Sequence, residues 1–208
     1  MSRFRSDAGI AIGPILFMLA ILGLIATVMA TNSGGFSVAG VQDRISADIV
    51  SQANMIRSKI NECQLQYLTN GVDNSVAPCL HDAYPCSDQT ALPGGGTNVS
   101  ALTCPGDPLD GDGDQQNIWT GLRVAQLPPQ TKGFSDWKYM NAGDAGGRCI
   151  WTVPSSGNTS SGVVAGLTQS ATKFTSEEVS YLPASNTQKF VVFITAPTGS
   201  VNEHCAVP

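Results

Sequence analysis

Two hydrophobic patterns follow one another along the first third of this chain. Residues 10–30 are apolar almost throughout, and no Lys, Arg, Asp or Glu lies between Ala8 and Gln42. Because a helix rises about 1.5 Å per residue, residues 10–31 are long enough to cross a hydrocarbon core of about 30 Å. The first pattern therefore predicts a transmembrane helix over residues 10–31.

The second pattern is amphipathic and covers residues 38–68. Apolar side chains recur there every three or four residues, which places them on one face of a helix. Good helix formers dominate, and no Gly or Pro interrupts residues 42–68. The pattern predicts a helix that buries one stripe against a globular domain. The stripe consists of Val41, Ile45, Ile49, Ala53, Ile56, Ile60, Cys63 and Tyr67.

The C-terminal part carries strand patterns. Residues 148–153 alternate, residues 189–195 are rich in β-branched and aromatic side chains, and residues 178–182 form a shorter candidate. Residues 162–165 are expected either to pair as a strand or to lie in a loop. Turn-forming residues between these runs favour an antiparallel meander. Four large aromatic residues are expected in the core or the sheet: Trp119, Trp137, Tyr139 and Trp151.

The predicted fold class is α+β. A long N-terminal helix, with a membrane-spanning half and an amphipathic half, is expected to pack on an antiparallel sheet whose loops are linked by disulfides. Arg3 and Arg5 precede the span and the next basic residue is Arg44, so the N-terminus is expected in the cytoplasm. The predicted parts are a cytoplasmic leader (residues 1–9), the span (residues 10–31) and an exported head (residues 32–208).

Six cysteines lie beyond the span, and the span itself has none. An even number in an exported domain predicts disulfides, and no close pair has the spacing typical of zinc ligands. The sequence alone leaves the pairing open. The cysteines are Cys63, Cys79, Cys86, Cys104, Cys149 and Cys205.

Charged residues are sparse, at 13% of the chain, and the net charge is −5. Without Arg3, Arg5 and Asp7 of the leader, nine basic and fifteen acidic residues remain, which is a net charge of −6. Nucleic-acid binding needs clustered Lys and Arg, so we expect no nucleic-acid partner.

Motifs of the common enzyme classes do not occur in this sequence. His81 and His204 lie near no motif that would make either a general base. There is no nucleophile elbow, no His-Glu-x-x-His zinc motif and no phosphate-binding loop. We therefore expect that the chain is not an enzyme.

One acidic loop is a candidate cation site. Asp110, Asp112 and Asp114 alternate with glycines, and carboxylates spaced in this way can converge on one Ca²⁺ ion. The spacing is similar to the start of an EF-hand loop, but Gln115 replaces the expected Gly and Leu122 replaces the bidentate Glu. A non-EF calcium loop and a solvated acidic turn both stay open.

The leader, the span and the amphipathic helix together resemble a type IV pilin-like protein, and in particular a minor pilin or pseudopilin. In that family a short basic leader ends in Gly, here Gly9, and a prepilin peptidase cuts before the apolar helix. Ile10 would then be the new N-terminus, often methylated in this family. The resemblance implies a subunit of an extracellular filament or pseudopilus, as used in adhesion, motility, DNA uptake or secretion.

The resemblance also implies partners and a location. Other pilin subunits, the peptidase, the inner membrane and its assembly machinery would be the partners. The chain would first be a single-pass inner-membrane protein and later part of an extracellular or periplasmic filament. Pilins often link a C-terminal loop by a disulfide, and Cys205 would bond either to Cys149 or to the loop region.

The sequence departs from the pilin pattern at one position. Most major pilins carry Glu at the fifth mature position, where this chain has Pro14. Pro is tolerated in the first turn of a helix, but the carboxylate that pairs with a neighbour's amine is missing. The alternative is an uncleaved, single-span anchor that holds an exported binding domain, which could bind Ca²⁺.

Overall fold

The computed structural model describes residues 12–67, 83–87, 95–105, 117–119, 127–155, 160–185 and 187–206. Within the first helix, side chains are described at residues 17–23 and 38–65. Backbone contacts divide the chain into two units, Met1–Gly40 and Val41–Pro208. Each unit is described by itself.

The described elements combine helices with one antiparallel sheet. Its strands are arranged in the order β1-β2-β3-β5-β4. The helices are α1 (Ile12–Tyr67), α2 (Gly143–Gly146) and α3 (Ser161–Ala171). The strands are β1 (Thr97–Asn98), β2 (Lys138–Asn141), β3 (Arg148–Thr152), β4 (Val179–Tyr181) and β5 (Phe190–Thr195). The α+β prediction is confirmed, with a helix packed on an antiparallel sheet.

The amphipathic stripe of α1 forms the centre of the main core. Ile49, Ala53, Ile56 and Ile60 are completely buried, and they belong to the same apolar cluster as Phe190 of the sheet. The stripe begins at Ile45 rather than earlier, because Val41 is 45% exposed. The side chain of Tyr67 lies outside the described residues. Burial every three or four residues is the pattern that the sequence predicts for this helix.

The sheet has apolar side chains on both faces, because successive residues of a strand point to opposite sides. Ile150 and Val192 face the cluster that contains α1, while Trp151 and Val191 face a second, smaller cluster. This second cluster consists of Met140, Cys149, Trp151, Val191, Phe193 and Cys205. All five residues of β3 are consequently buried.

Two sequence predictions about this region are wrong. Residues 162–165, expected as a strand or loop, belong to helix α3. The sheet is also not a simple meander, because β5 lies between β3 and β4. The strands predicted at residues 148–153, 178–182 and 189–195 correspond to β3, β4 and β5.

Disulfides link distant parts of the head. Cys63 at the end of α1 is bonded to Cys104, and Cys149 of β3 is bonded to Cys205. Of the two partners considered for Cys205, the structure therefore has Cys149. Cys86 is also disulfide-bonded, and Cys79 lies outside the described residues.

Candidate functional site

The strongest candidate for a functional surface is a stretch of α1 over residues 17–23, which we call the apolar segment. Its sequence is Phe-Met-Leu-Ala-Ile-Leu-Gly, and all seven residues are exposed. The exposed fractions of Phe17, Met18 and Leu22 are 67%, 63% and 60%. Because the segment is apolar all the way round, no rotation of the helix removes these side chains from water.

The apolar segment needs an apolar environment. Burying one side chain of the size of Leu or Phe is worth about 1.5–3 kcal/mol. Large contiguous apolar surfaces on a protein mark membrane contacts or contacts with other proteins. A lipid bilayer and a second apolar helix both meet this requirement.

The span predicted over residues 10–31 is covered only in part by described side chains, those of residues 17–23. Among the described residues, no helix combines the length and the apolar character needed to cross a membrane. The predicted cleavage site, between Gly9 and Ile10, lies outside the described residues.

The candidate calcium ligands Asp110, Asp112 and Asp114 also lie outside the described residues. In the part of the chain that the structure describes, no three His, Cys, Asp or Glu side chains come close enough together to hold a metal ion. The calcium hypothesis therefore stays a prediction from the sequence.

A second feature, which sequence reasoning missed, holds the C-terminal loop (residues 196–206) on the sheet. The ammonium group of Lys189 donates hydrogen bonds to the backbone oxygens of His204 and Ala206. It also lies 5.0 Å from the ring centre of Trp151, on which the imidazole of His204 is stacked. Burial lowers the pKa of Lys189 from 10.5 to about 8. The alternation around Lys189 predicts a strand but carries no signal for this contact.

Backbone hydrogen bonds align the same loop with α2. The amides of Thr198, Gly199 and Asn202 donate to the carbonyl oxygens of Asp144, Ala145 and Gly146. Together with the Cys149–Cys205 bond, these contacts place the loop over the second apolar cluster. His204 is 3% exposed. It therefore contributes to packing.

An ion pair connects α1 with the start of β4. Arg57 Nη2 lies 2.9 Å from Glu178 Oε1. The other carboxylate oxygen, Oε2, accepts a hydrogen bond from the amide of Thr175 at 3.0 Å. The Thr175 amide and the Arg57 guanidinium lower the pKa of Glu178. Glu178 thus connects α1 with the segment that precedes β4.

The head also has a small cleft of about 50 Å³. Ligand sites for small organic molecules usually have about 300–1,000 Å³, so this cleft is too small for one. The indole of Trp137 in its wall donates to Gln52 Oε1 at 2.7 Å and so belongs to the core. The lining residues are Val99, Ser100, Leu127, Pro128, Gln130, Asp136 and Trp137.

Comparison with known proteins finds no similar chain. No protein-family model, no curated protein and no solved structure matches. Evidence about function therefore comes from the residues and contacts of the chain itself.

Proposed function

We propose that this chain is a structural subunit, of the minor pilin or pseudopilin type, in a type IV pilus-like filament. The observation that carries the proposal is the exposed apolar segment, residues 17–23 of α1. A basic leader precedes it and a disulfide-bonded α+β head follows it. In such a chain the apolar segment needs an apolar environment, whereas the head needs water.

The proposed mechanism is assembly rather than catalysis. A prepilin peptidase hydrolyses the peptide bond after Gly9, and Ile10 becomes the N-terminus. The apolar helix first lies in the inner membrane, where lipid covers its side chains. Assembly machinery then extracts the helix, and apolar helices of neighbouring subunits replace the lipid. Helix–helix contacts keep the apolar surface out of water, which stabilises the filament by about 25 cal/mol per Å² of apolar surface buried.

A second candidate function is an uncleaved membrane anchor that holds an exported binding domain. Pro14 favours it, because this residue stands where most major pilins have a Glu. In this case the leader, residues 1–9, stays attached and the head never joins a filament. Both candidates use the same apolar segment, so they differ in processing and in location.

Mass spectrometry of the protein from its native host distinguishes the two. Intact masses and N-terminal peptides are compared between membranes and sheared surface material. We expect a mature chain that starts at Ile10 and is present in the sheared fraction. A chain that keeps residues 2–9 and is confined to membranes contradicts the pilin proposal and supports the anchor.

Matched variants sharpen this experiment. Gly9→Leu is expected to block cleavage and to leave the leader attached, because the leader of this family ends in Gly at that position. Gly23→Ala, which changes a helical Gly with nothing within 4 Å of the added methyl group, is expected to be cleaved normally. Normal cleavage of the Gly9→Leu chain argues against prepilin processing.

A further inference from the structure

The Cys63–Cys104 disulfide joins two cysteines that do not follow one another in the sequence. Cys79 and Cys86 lie between them, and Cys86 is itself disulfide-bonded. Cys79 comes 16 positions after Cys63, whereas Cys104 comes 41 positions after it. Because the entropic cost of closing a flexible loop grows as (3/2)RT ln n, the shorter loop closes about fourfold more readily. In an unfolded chain Cys63 therefore meets Cys79 more often than its native partner.

The order of export favours the same non-native pair. The predicted span precedes the head, so the head enters an oxidising compartment from its N-terminal end, and Cys104 arrives after Cys79 and Cys86. At about 5–20 residues per second, synthesis of residues 80–141 takes about 3–12 s. Disulfides form on a timescale that begins at seconds. A non-native bond therefore has time to form before β2 has been made.

The segment that carries Cys104 is held in place by residues that follow it in the chain. The indole of Trp119 donates to the carbonyl oxygen of Val99 at 2.7 Å, and the amide of Val99 donates to the carbonyl oxygen of Trp137 at 2.9 Å. Cys104 and Cys63 are 8% and 2% exposed and belong to the same apolar cluster. The native pair therefore meets in a core that only residues beyond Cys104 complete.

The segment that carries Cys86 also depends on later residues. Residues 83–87 lie on strand β2, where the Tyr139 hydroxyl and the Asn141 side-chain amide both donate to the carbonyl oxygen of Pro85 at 3.1 Å. These contacts fix the native position of Cys86, and they form only after β2 has been made. Before then, the Cys86 thiol can enter a non-native pair.

We propose that this chain is a client of a thiol–disulfide isomerase and reaches the Cys63–Cys104 bond through a non-native bond of Cys63. First, the thiols of Cys63 and Cys79 are oxidised to a disulfide while the disulfide of a thiol oxidase is reduced to a dithiol. A thiolate of the reduced isomerase then attacks the Cys63 sulfur, and the Cys79 thiolate leaves. Finally, the Cys104 thiolate attacks this mixed disulfide, the native bond forms and the isomerase thiolate leaves. Each exchange consumes one thiolate and releases one, so the two exchange steps need no oxidant.

The proposal goes beyond the filament proposal, because it needs only that the head enters an oxidising compartment. A filament subunit and an uncleaved anchor both meet this condition. The head also contains an internal reference, since no cysteine lies between Cys149 and Cys205. Pairing of consecutive cysteines produces this second bond directly, so it should form without an isomerase.

A comparison of two strains of the native host tests the proposal. The full chain is isolated from a strain with its exported thiol–disulfide isomerase and from one that lacks it, and non-reducing peptide mass spectrometry quantifies both bonds. Without the isomerase, we expect at least a fourfold smaller fraction of chains with Cys63–Cys104, and a change of less than twofold for Cys149–Cys205. An equal fraction of Cys63–Cys104 in both strains, or equal loss of both bonds, overturns the proposal.

Matched variants test the role of the intervening thiols. Cys79→Ala combined with Cys86→Ala should restore Cys63–Cys104 in the strain that lacks the isomerase, because both competing thiols are gone. Cys149→Ala combined with Cys205→Ala removes two thiols that are exported later and should restore nothing. A chain without Cys79 and Cys86 that still needs the isomerase contradicts the proposal.

Purified isomerase gives a readout that does not depend on whether these variants fold. Unaltered chains from the strain that lacks the isomerase are incubated with reduced isomerase and no oxidant. We expect a gain of Cys63–Cys104 with a matching loss of bonds from Cys63 to Cys79 or Cys86. An isomerase whose second active-site cysteine is replaced by Ala should be trapped on one of these three cysteines. Absence of conversion overturns the proposal.

Discussion

The two faces of the sheet are covered in different ways. On one face, the stripe of α1 supplies a row of completely buried apolar side chains such as Ile49 and Ile56. On the other face, the described cover is irregular: the C-terminal loop supplies only Cys205 to the apolar cluster, and Ser87 and Gly96 lie against Met140 and Trp151. The first face is held by hydrophobic burial along a regular element, and the second by one covalent bond and several polar contacts.

This difference reflects what helices and loops can offer. A helix satisfies its own backbone hydrogen bonds, so its whole inner face is available for apolar packing. The backbone N–H and C=O groups of a loop need hydrogen-bond partners outside the loop. Here the carbonyl groups of α2 and the ammonium group of Lys189 provide them. The loop therefore contributes few apolar atoms to the core. The Cys149–Cys205 bond attaches it to the sheet where apolar packing is sparse. We expect mutations on the two faces to act by different mechanisms.

The largest effect is expected on the α1 face. Ile56→Ala removes buried methyl and methylene groups and leaves a cavity, so it should lower the free energy of unfolding by about 2–5 kcal/mol. Met55 is 39% exposed, and Met55→Ala should change it by less than about 0.5 kcal/mol. Denaturant unfolding of the full chain in detergent, followed by tryptophan fluorescence, measures both. Equal effects of the two variants would contradict the assignment of the buried stripe.

On the second face, loss of the disulfide should have the next largest effect. Cys149→Ser combined with Cys205→Ser is expected to reduce the free energy of unfolding by about 2–4 kcal/mol, because a 56-residue separation is no longer bridged. Proteolysis should then cut the C-terminal loop first. Cleavage that begins instead in α3 would argue that the C-terminal loop stays on the sheet without the Cys149–Cys205 bond.

A close contact between helices gives a smaller effect on the α1 side. A methyl group added at Gly166 would lie 2.9 Å from Cβ of Ile45 and 3.1 Å from the backbone oxygen of Gln42. Gly166→Ala should therefore destabilise the head by about 1–3 kcal/mol. Gly40→Ala has nothing within 4 Å and should be neutral or stabilising by up to about 1 kcal/mol. The same unfolding assay compares the two, and a neutral Gly166→Ala would refute close packing of α3 on α1.

The smallest effect is a dependence on pH that comes from the second face. The folded pKa of Lys189 is about 8 and its unfolded value is 10.5, so above pH 8 the unfolded chain binds a proton that the folded chain lacks. The free energy of unfolding should consequently rise with pH, by less than about 1.4 kcal/mol per pH unit because Lys189 is half-buried.

Lys189→Met should remove this rise. The measurement is kept below pH 10, because burial raises the pKa of Tyr181 above 10.0 and this group lowers stability at higher pH. Unfolding curves at pH 8, 9 and 10 for both proteins provide the comparison. A Lys189→Met chain that keeps the full rise would show that other groups cause it.

Much of the first face could be predicted from the sequence, and little of the second. The spacing of Ile45, Ile49 and Ile56 identifies the buried helix, and the composition of β3 and β5 identifies the central strands. The sequence does not indicate helix α3, because Gly162, Val163 and Gly166 are poor helix formers in isolation. Its packing on Ile45 outweighs that local preference.

Features that depend on distant residues could not be predicted. The sequence leaves the partner of Cys205 open between Cys149 and the loop region, because spacing carries no information about which sulfurs meet. The position of β5 between β3 and β4 also depends on tertiary pairing. For the functional surface, the apolar character of residues 17–23 is evident from the sequence.

The strand order has a consequence for the folding of a newly synthesised chain. On the ribosome, β3 and β4 are completed before β5, yet β5 is the strand that pairs with both. Until Phe190–Thr195 is made, two unpaired strand edges stay open, and open edges are sites of misassociation. A chain truncated before Phe190 should therefore misassociate, whereas one that includes β5 can close the sheet.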